Sequence, residues 1–164
     1  MPNKRSDEVA EAWGEWVAAT GEWHVFGGLT YDPARAFGRP HPEACGKHVR
    51  RWLRAAPRAL GREVEAAVVA TEYHRSGWPH FHPLLRLAGG NQGNELRELG
   101  QLWFREHGYA KLEVPRSVQA VAMYAAKYLS KDLSTGDVLL WPPKGDMGLH
   151  QLGLSAALPR ARRS

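Results

Sequence analysis

The chain has 164 residues, 43% of them hydrophobic and 24% charged, a composition typical of one soluble globular domain. No apolar run approaches the length of a membrane span, and the first residues lack the apolar segment of a secretory signal. A single cysteine, Cys45, excludes an internal disulfide and a cysteine metal cluster. The net charge of +5 and the pI of about 9.6 favour a polyanionic partner. We therefore expect one cytoplasmic domain over residues 1–164 that makes no contact with a membrane.

Hydrophobic periodicity and turn residues divide the chain into helices and strands. In chain order, the pattern predicts a helix at 7–19, a strand at 23–31, a helix at 42–58, strands at 63–74 and 80–88, a helix at 94–107, a strand at 109–114, a helix at 117–131 and a last strand near 149–157. The turn Arg75–Pro79 joins two neighbouring strands into a β-hairpin. This order predicts an α+β fold, in which helices flank a central, mostly antiparallel β-sheet.

Three residues give local signals within these elements. Gly108 stands where the C-terminal cap of a helix is expected, and Ser117 stands where the next helix needs an N-cap. Pro83 has no N–H group to donate to a β-ladder. We therefore expect the strand of Pro83 to lie at a sheet edge or to contain a bulge at this residue.

Basic residues recur with helical spacing in 42–58 and give this helix one strongly basic face. Arg50 and Arg54 on that face are candidate contacts to nucleic acid, although a solvated helix face has the same pattern. Arginines also dominate residues 159–164, a basic tail that we expect to be disordered rather than a phosphate-binding arm.

The strand at 80–88 begins with His80-Phe81-His82. Because side chains alternate along a strand, His80 and His82 share one face, about 7 Å apart at the backbone. On the other strand of the hairpin, Glu72 and His74 share a parity, and either can supply a third ligand. Glu72 is preferred, because His74 lies close to the turn. Two imidazoles and a carboxylate suit Mg²⁺, Mn²⁺ or another divalent ion, although isolated His-x-His pairs are more often ordinary surface residues.

The helix at 117–131 carries a polar stripe beside its apolar one, formed by Tyr124, Lys127, Tyr128 and Lys131. Tyr124 and Tyr128 lie one turn apart, so their hydroxyl groups can reach the same place, with Lys127 between them. A tyrosine oxygen can attack a phosphodiester and hold the product covalently, while a lysine neutralises the phosphate or favours the phenolate. The alternative interpretation is that both rings are half-buried packing residues with a polar tip.

Three motifs in this order resemble those of the HUH endonucleases, specifically the rolling-circle replication initiator (Rep) proteins of plasmids and small single-stranded DNA phages. Phe26–Tyr31 is similar to the F-x-T-L-T strand of that family, with Gly28 in place of the usual threonine. Gly77–His82 resembles the G-x-P-H-x-H metal motif, and Tyr124–Lys131 resembles a doubled Y-x-x-K motif. The matched motifs span residues 26–131.

The resemblance implies nicking and joining at a replication origin, with a 5′-phosphotyrosine intermediate and a free 3′-hydroxyl group. It implies a divalent metal ion, Mg²⁺ or Mn²⁺, on His80, His82 and Glu72, and an RRM-like or ferredoxin-like sheet. By the same comparison, Tyr128 is expected to attack first and Tyr124 to act in the joining step. The substrate is then single-stranded or hairpin origin DNA, which a host helicase unwinds because 164 residues leave no room for a helicase domain.

Further DNA contacts are expected from residues near these motifs. Trp78 lies in the turn beside the metal strand and is a candidate for stacking on a base, although a turn tryptophan can equally cap the core. Lys131 extends the lysine and tyrosine stripe and is a candidate phosphate contact.

Other classes of protein share parts of this pattern. A non-catalytic module that binds single-stranded nucleic acid would keep the basic helix but need neither the histidine pair nor the tyrosines. A short HUH transposase would need one tyrosine, and a zinc hydrolase would not explain the tyrosine helix. The joint presence of both motifs favours a site-specific DNA endonuclease.

Overall fold

A computed structural model describes residues 4–129 and 138–141 of the chain. Its elements are α1 (Lys4–Ala19), β1 (Val25–Tyr31), α2 (Pro42–Leu60), β2 (Val64–Tyr73), β3 (Pro79–Leu87), α3 (Glu95–Glu106), β4 (Gly108–Glu113), α4 (Val118–Leu129) and β5 (Val138–Trp141). The order expected from the sequence is confirmed as far as α4, whereas β5 was not predicted. The strand expected near 149–157, the tail at 159–164 and Lys131 lie outside the described residues.

Within the described residues, five strands form one antiparallel sheet in the order β4-β1-β3-β2-β5, with helices on its faces. The predicted hairpin is confirmed as β2 and β3, and the predicted α+β class is confirmed with it. None of the described helices is long and apolar enough to cross a membrane.

Pro83 corrects one expectation, because it lies in a central strand and pairs with Val69 in regular register. The irregularity falls on the other side of β3. The ladder between β1 and β3 pairs Phe26 with Leu84 and Leu29 with Phe81, and the two positions between them are unpaired. The register is the same on both sides of this gap, so the ladder beside Pro83 is interrupted, and this residue lies neither at a bulge nor in an edge strand.

One face of the sheet, called the core face here, is closed by α2 and α3. Its buried side chains include Leu29, Tyr31, Phe81 and Leu85 from the strands, Val49, Trp52, Leu53 and Ala56 from α2, and Leu99 and Trp103 from α3. The two buried indoles of this face each donate a hydrogen bond to a backbone carbonyl: Trp52 Nε1 to that of Leu99 at 2.9 Å, and Trp103 Nε1 to that of Thr30 at 2.9 Å. Burial of this many apolar side chains makes the core face the main source of stability.

The opposite face, called the site face here, carries Glu72, His80 and His82, and the described residues cover it only in part. Helices α1 and α4 pack on the half of it that is apolar. The side chains in that cluster include Trp13, Trp16 and Val17 of α1, Val121 and Ala125 of α4, and Ala66, Val68, Ala70 and Leu84 of the strands. The residues that the structure describes therefore leave part of the polar half accessible beside α4.

The sequence predicted two helix caps, and the structure confirms one of them. Ser117 is the expected N-cap of α4, since its Oγ accepts a hydrogen bond from the Ala120 N–H at 3.1 Å. Gly108 is not the left-handed helix cap that was predicted; it is the first residue of β4, and its φ is not positive. A Cβ on Gly108 would collide with the Thr30 carbonyl oxygen and the Asp32 amide nitrogen, so glycine is needed there for close strand approach.

A buried carboxylate fixes the loop before α3. Glu95 is 2% exposed and forms a salt bridge with Arg62 at 2.9 Å. Its carboxylate also accepts hydrogen bonds from Asn91 Nδ2 and from the backbone N–H groups of Gln92 and Gly93. Each formal charge in this buried pair is therefore compensated.

Candidate active site

Strand register brings residues of catalytic type into two rows across the site face. One row runs from Tyr109 on β4 through Thr30 on β1 and His80 on β3 to Glu72 on β2. The next row contains Lys111, Gly28, His82 and Ala70, although the Gly28 and His82 positions fall in the ladder gap. Because directly opposed residues share a face, the sequence-predicted His80, His82 and Glu72 do lie together.

The imidazoles and the carboxylate form two hydrogen-bonded pairs. His82 Nε2 lies 3.0 Å from a Glu72 carboxylate oxygen, and His80 Nδ1 lies 3.2 Å from His74 Nε2. The His80 and His82 rings are stacked, with centroids 4.6 Å apart and planes at 23°. Both side chains considered for the third ligand therefore contact a histidine of the pair: Glu72 contacts His82, and His74 contacts His80.

Burial favours the neutral form of both histidines. It lowers the pKa of His80 to about 4, and the neighbouring His82 and His74 act in the same direction. Burial also lowers the pKa of His82, although its hydrogen bond with Glu72 opposes that effect. Neutral imidazole is the form that ligates metals.

These donors fit a divalent ion in kind and, for one pair, in spacing. Two donors about 2.1 Å from one ion and at a right angle lie about 3.0 Å apart, which is the separation between Glu72 and His82. His80 is turned towards His74. Within residues 4–129 and 138–141, no three histidine, cysteine, aspartate or glutamate side chains already stand in a metal-holding geometry. Binding an ion here therefore requires these side chains to rearrange.

Tyr128 lies directly on the histidine pair. Its ring stacks on His82 with centroids 3.6 Å apart and planes at 17°. The Lys127 ammonium lies 4.7 Å from the centre of the same ring, and its hydrogen bond to Tyr128 raises the pKa of this exposed lysine. Helix α4 thus brings a phenol and a cation to the imidazole of His82 and its carboxylate partner on the sheet.

Tyr124 is held differently, although its ring lies only 4.8 Å from that of Tyr128. Its hydroxyl group donates to the Gly27 carbonyl and accepts from the Gly27 N–H at 3.3 Å. Gly27 stands at the ladder gap, opposite Pro83, which has no N–H group to donate. Burial raises the pKa of Tyr124 above its ordinary value. The Tyr124 hydroxyl therefore satisfies the backbone of Gly27 at this gap.

Two glycines make room at the centre of the site. Gly27 has φ 153°, and a Cβ there would collide with the Lys111 carbonyl oxygen. A Cβ on Gly28 would lie 2.6 Å from His80 Nε2. The His80 ring therefore occupies space that the threonine of the F-x-T-L-T motif would reach, which explains why glycine at position 28 suits this ring position.

Three of the predicted nucleic-acid contacts lie within the described residues, and the structure does not bring these three to the site. Arg50 and Arg54 belong to α2, which packs on the core face, and the Arg54 guanidinium lies 6.0 Å from the centre of the Trp141 ring. Trp78 is partly buried against the core-face cluster, with its ring 6.4 Å from that of Tyr31. Their roles in DNA binding stay predictions, and they require DNA to reach beyond the site face.

Sequence reasoning did not single out the edge strand β4, although it lines the site. An open cavity of about 380 Å³ is bounded by β4, β1, His80, His82 and the two tyrosines. Tyr109 and Lys111 reach this cavity from β4. The alternation from Tyr109 to Glu113, with Ala110 and Leu112 packed in the core, was the signal that could have identified this polar face.

The fold and the site define a class of protein: an antiparallel α+β domain with a histidine pair, a carboxylate and a two-tyrosine helix on one half-open sheet face. The family model of the replication-associated protein ORF2/G2P matches residues 24–133, more than half of the chain and all of the site just described. The chain belongs to this family, and membership indicates a role in DNA replication. Comparisons with curated proteins and with solved structures find no match.

Proposed function

We propose that this protein is a metal-dependent endonuclease and strand transferase that nicks and rejoins single-stranded origin DNA to start and end rolling-circle replication. The observation that carries the proposal is the stack of Tyr128 on His82, with centroids 3.6 Å apart. A nucleophile must lie beside the groups that position the phosphate, and a tyrosine that serves only packing has no such requirement. Membership of a replication-associated family supports the biological role.

In the nicking step, Tyr128 Oη forms a bond to the scissile phosphorus and the bond from phosphorus to the 3′-oxygen breaks. The phenolic proton leaves to water, and the departing 3′-oxygen takes a proton from water, so charge and atoms balance. The Lys127 ammonium beside the ring is placed to face the phosphate and neutralise its charge. The 5′-phosphate remains on Tyr128 until a 3′-hydroxyl group attacks it and rejoins the strand.

His80, His82 and Glu72 are the proposed ligands of a divalent ion, Mg²⁺ or Mn²⁺. When bound, such an ion polarises a phosphate oxygen as a Lewis acid. Glu72 is preferred to His74 because it already lies 3.0 Å from His82. Its carboxylate also matches the preference of these ions for oxygen ligands. His74 then holds His80 in the absence of the ion.

The surroundings of the two tyrosines support Tyr128 as the first nucleophile and Tyr124 as the residue of the joining step. Tyr124 must give up two hydrogen bonds to Gly27 before it can attack, and its pKa is raised by burial. Tyr128 carries a lysine beside its ring and stands on His82. A host helicase would supply the unwound DNA.

The test uses the full chain with labelled single-stranded oligonucleotides from a replicon in Mn²⁺, with and without EDTA, on a denaturing gel. We expect an adduct that resists SDS, requires the metal and maps to Tyr128. Changing Tyr128→Phe should lower its formation roughly a thousandfold or more, because the nucleophile is lost. An equal yield in EDTA would refute the metal assignment, and a normal adduct in Tyr128→Phe would refute the choice of nucleophile. Binding of the DNA with no adduct would instead favour a non-catalytic binding module.

A further inference from the structure

The edge strand β4 presents an unassigned pair of side chains to the candidate site. Tyr109 and Lys111 are exposed on the site face, with 58% of Tyr109 accessible. The residues that alternate with them, Ala110 and Leu112, pack against the core-face cluster. The strand therefore has one structural face and one face that is free to meet a ligand.

Register places this pair at a defined distance from the proposed chemistry. Tyr109 is opposite Thr30, which is opposite His80, so two strand spacings, roughly 10 Å, separate the tyrosine from the histidine. Lys111 is opposite Gly28 in the row that contains His82. A nucleotide next to the scissile phosphate would lie within that distance.

The surface between the pair and the tyrosines of α4 is a groove rather than a wall. Gly27 and Gly28 form its floor and project no side chains, and the cavity above them has a volume of about 380 Å³. That volume lies within the range of small-molecule sites. Within residues 4–129 and 138–141 nothing closes this groove, so a strand that enters at β4 can continue towards Tyr128.

The chemistry of the groove fits a single-stranded nucleic acid. An exposed aromatic ring beside a lysine is the combination that stacks a base and neutralises a phosphate. Glu113 lies on the same face beyond Lys111, and its carboxylate repels phosphates. A second carboxylate, Asp32, lies 3.5 Å from the Tyr109 hydroxyl group. The charges therefore mark Lys111 as the phosphate position on β4 and leave the Tyr109 ring to the base.

We propose that Tyr109 and Lys111 form a subsite for the nucleotide adjoining the scissile phosphate, with the base on the Tyr109 ring and a phosphate on Lys111. This inference rests on the proposed function, because it takes single-stranded DNA as the substrate. Tyr109 and Lys111 act here as positioning residues, which hold the strand and do not touch the reacting atoms.

The test measures the binding of a fluorescent single-stranded oligonucleotide pool by anisotropy across a series of salt concentrations. We expect Tyr109→Ala to weaken binding about tenfold, because base stacking on an aromatic residue has that order of effect. Tyr109→Phe, which keeps the ring, should bind as the wild type does. Lys111→Ala should weaken binding and lower the slope of log affinity against log salt by about 0.7, the value for one phosphate contact on a single strand.

Two matched variants control for loss of an exposed ring and of a charge. Phe37→Ala removes a fully exposed ring on the loop between β1 and α2, which does not line the groove. Arg97→Ala removes an exposed cation from α3. Both should bind DNA as the wild type does.

The outcomes separate this inference from the nicking proposal. If Tyr109→Ala and Lys111→Ala bind as tightly as the controls, or if the wild type does not bind single-stranded DNA, the subsite is refuted. If the wild type binds through this pair but forms no adduct, the subsite stands and the nicking proposal fails.

Discussion

Two stacked histidine pairs lie on opposite faces of the sheet and make an instructive comparison. On the site face, the rings of His80 and His82 have centroids 4.6 Å apart, and on the core face those of His48 and His107 have centroids 4.4 Å apart. Burial lowers the pKa of all four imidazoles. Neither stacking nor a lowered pKa therefore distinguishes a candidate site from a structural cluster.

The neighbours of each pair make the difference. His48 Nδ1 is hydrogen-bonded to Tyr31 Oη at 2.9 Å, and His107 lies against Trp103 with centroids 4.5 Å apart. Glu106 lies 3.8 Å from His107 Nε2, beyond hydrogen-bond distance, and forms a closer salt bridge with Arg51 at 3.3 Å. On the site face, the carboxylate contacts the imidazole directly, and a tyrosine with an adjacent lysine lies over it. The side chains that contact a histidine, rather than its burial, therefore indicate whether it belongs to a candidate active site.

Removing each histidine pair in turn tests whether only the pair on the site face is needed for cleavage. The double change of His80→Ala and His82→Ala should lower adduct formation by roughly a thousandfold or more, because the proposed ligands are lost. The matched change of His48→Ala and His107→Ala should leave adduct formation near the wild-type level at temperatures where the protein is folded. Adduct assays and circular dichroism on both variants decide the matter. Equal loss of cleavage from both would contradict the functional difference between the faces.

The next largest effect concerns the stability of the core face. Trp103 is fully buried and donates a hydrogen bond to the Thr30 carbonyl, so Trp103→Ala should lower the free energy of unfolding by about 3–5 kcal/mol. Phe104→Ala, at the next position of α3 and 53% exposed, should change it by less than about 0.5 kcal/mol. Urea denaturation measures both. Similar values for the two variants would show that the core face does not dominate stability.

Acid should weaken the core-face scaffold through Glu95. Burial alone raises the pKa of this carboxyl, but its hydrogen bonds from Asn91, Gln92 and Gly93 outweigh burial and lower the pKa to about 2, from 4.5 when unfolded. A depressed folded-state pKa contributes stability that is present above pH 4.5 and is lost as the pH falls towards 2. The contribution is about 3 kcal/mol at neutral pH. Urea denaturation between pH 7 and pH 2 measures it.

A charge-neutral variant isolates this contribution from the other carboxyl groups. Glu95→Gln should be less stable at neutral pH and should lose less stability on acidification than the wild type. The exposed Glu63→Gln should follow the wild-type curve. If the free energy of unfolding fell in parallel with pH for the wild type and Glu95→Gln, Glu95 would not contribute to the acid sensitivity.

The smallest expected effect lies on the site face and concerns Tyr124. Removing its hydroxyl group in Tyr124→Phe leaves the Gly27 carbonyl and N–H without this partner and should cost about 1 kcal/mol of unfolding free energy. The control is Tyr109→Phe, whose hydroxyl reaches Asp32 only at 3.5 Å, and it should be neutral. Thermal denaturation compares them. A neutral Tyr124→Phe would mean that its contact with Gly27 does not stabilise the fold.

Much of the fold was predictable because its signals are local. The apolar periodicities give the elements from α1 to α4 to within a few residues, and the turn before Pro79 gives the hairpin. Ser117 acts as the expected cap because an N-cap needs only residues within one helical turn. The shared face of His80 and His82 follows from the alternation of a strand alone.

The errors and omissions concern residues whose roles depend on distant partners. Pro83 can lie in a central strand because the backbone of Gly27, on the adjoining strand, forms hydrogen bonds with the Tyr124 hydroxyl group instead. Tyr124 is far from both residues in the sequence. The strand Val138–Trp141 was not predicted because four residues carry little periodicity, and its pairing with β2 defines it. Arg50 has a helical position that the sequence gives correctly, but no local signal says which face of the sheet its helix covers.

The elements from α1 to α4, the histidine pair and the stripe of two tyrosines could be predicted from the sequence, because each depends on spacing within one element. Only the tertiary structure decided which tyrosine stacks on His82 and which bonds to Gly27, since that choice depends on how α4 crosses the sheet. It also decided that β4 lies beside β1 and brings Tyr109 to the same groove. Strand order is set by packing and pairing over the whole domain, and no local pattern encodes it.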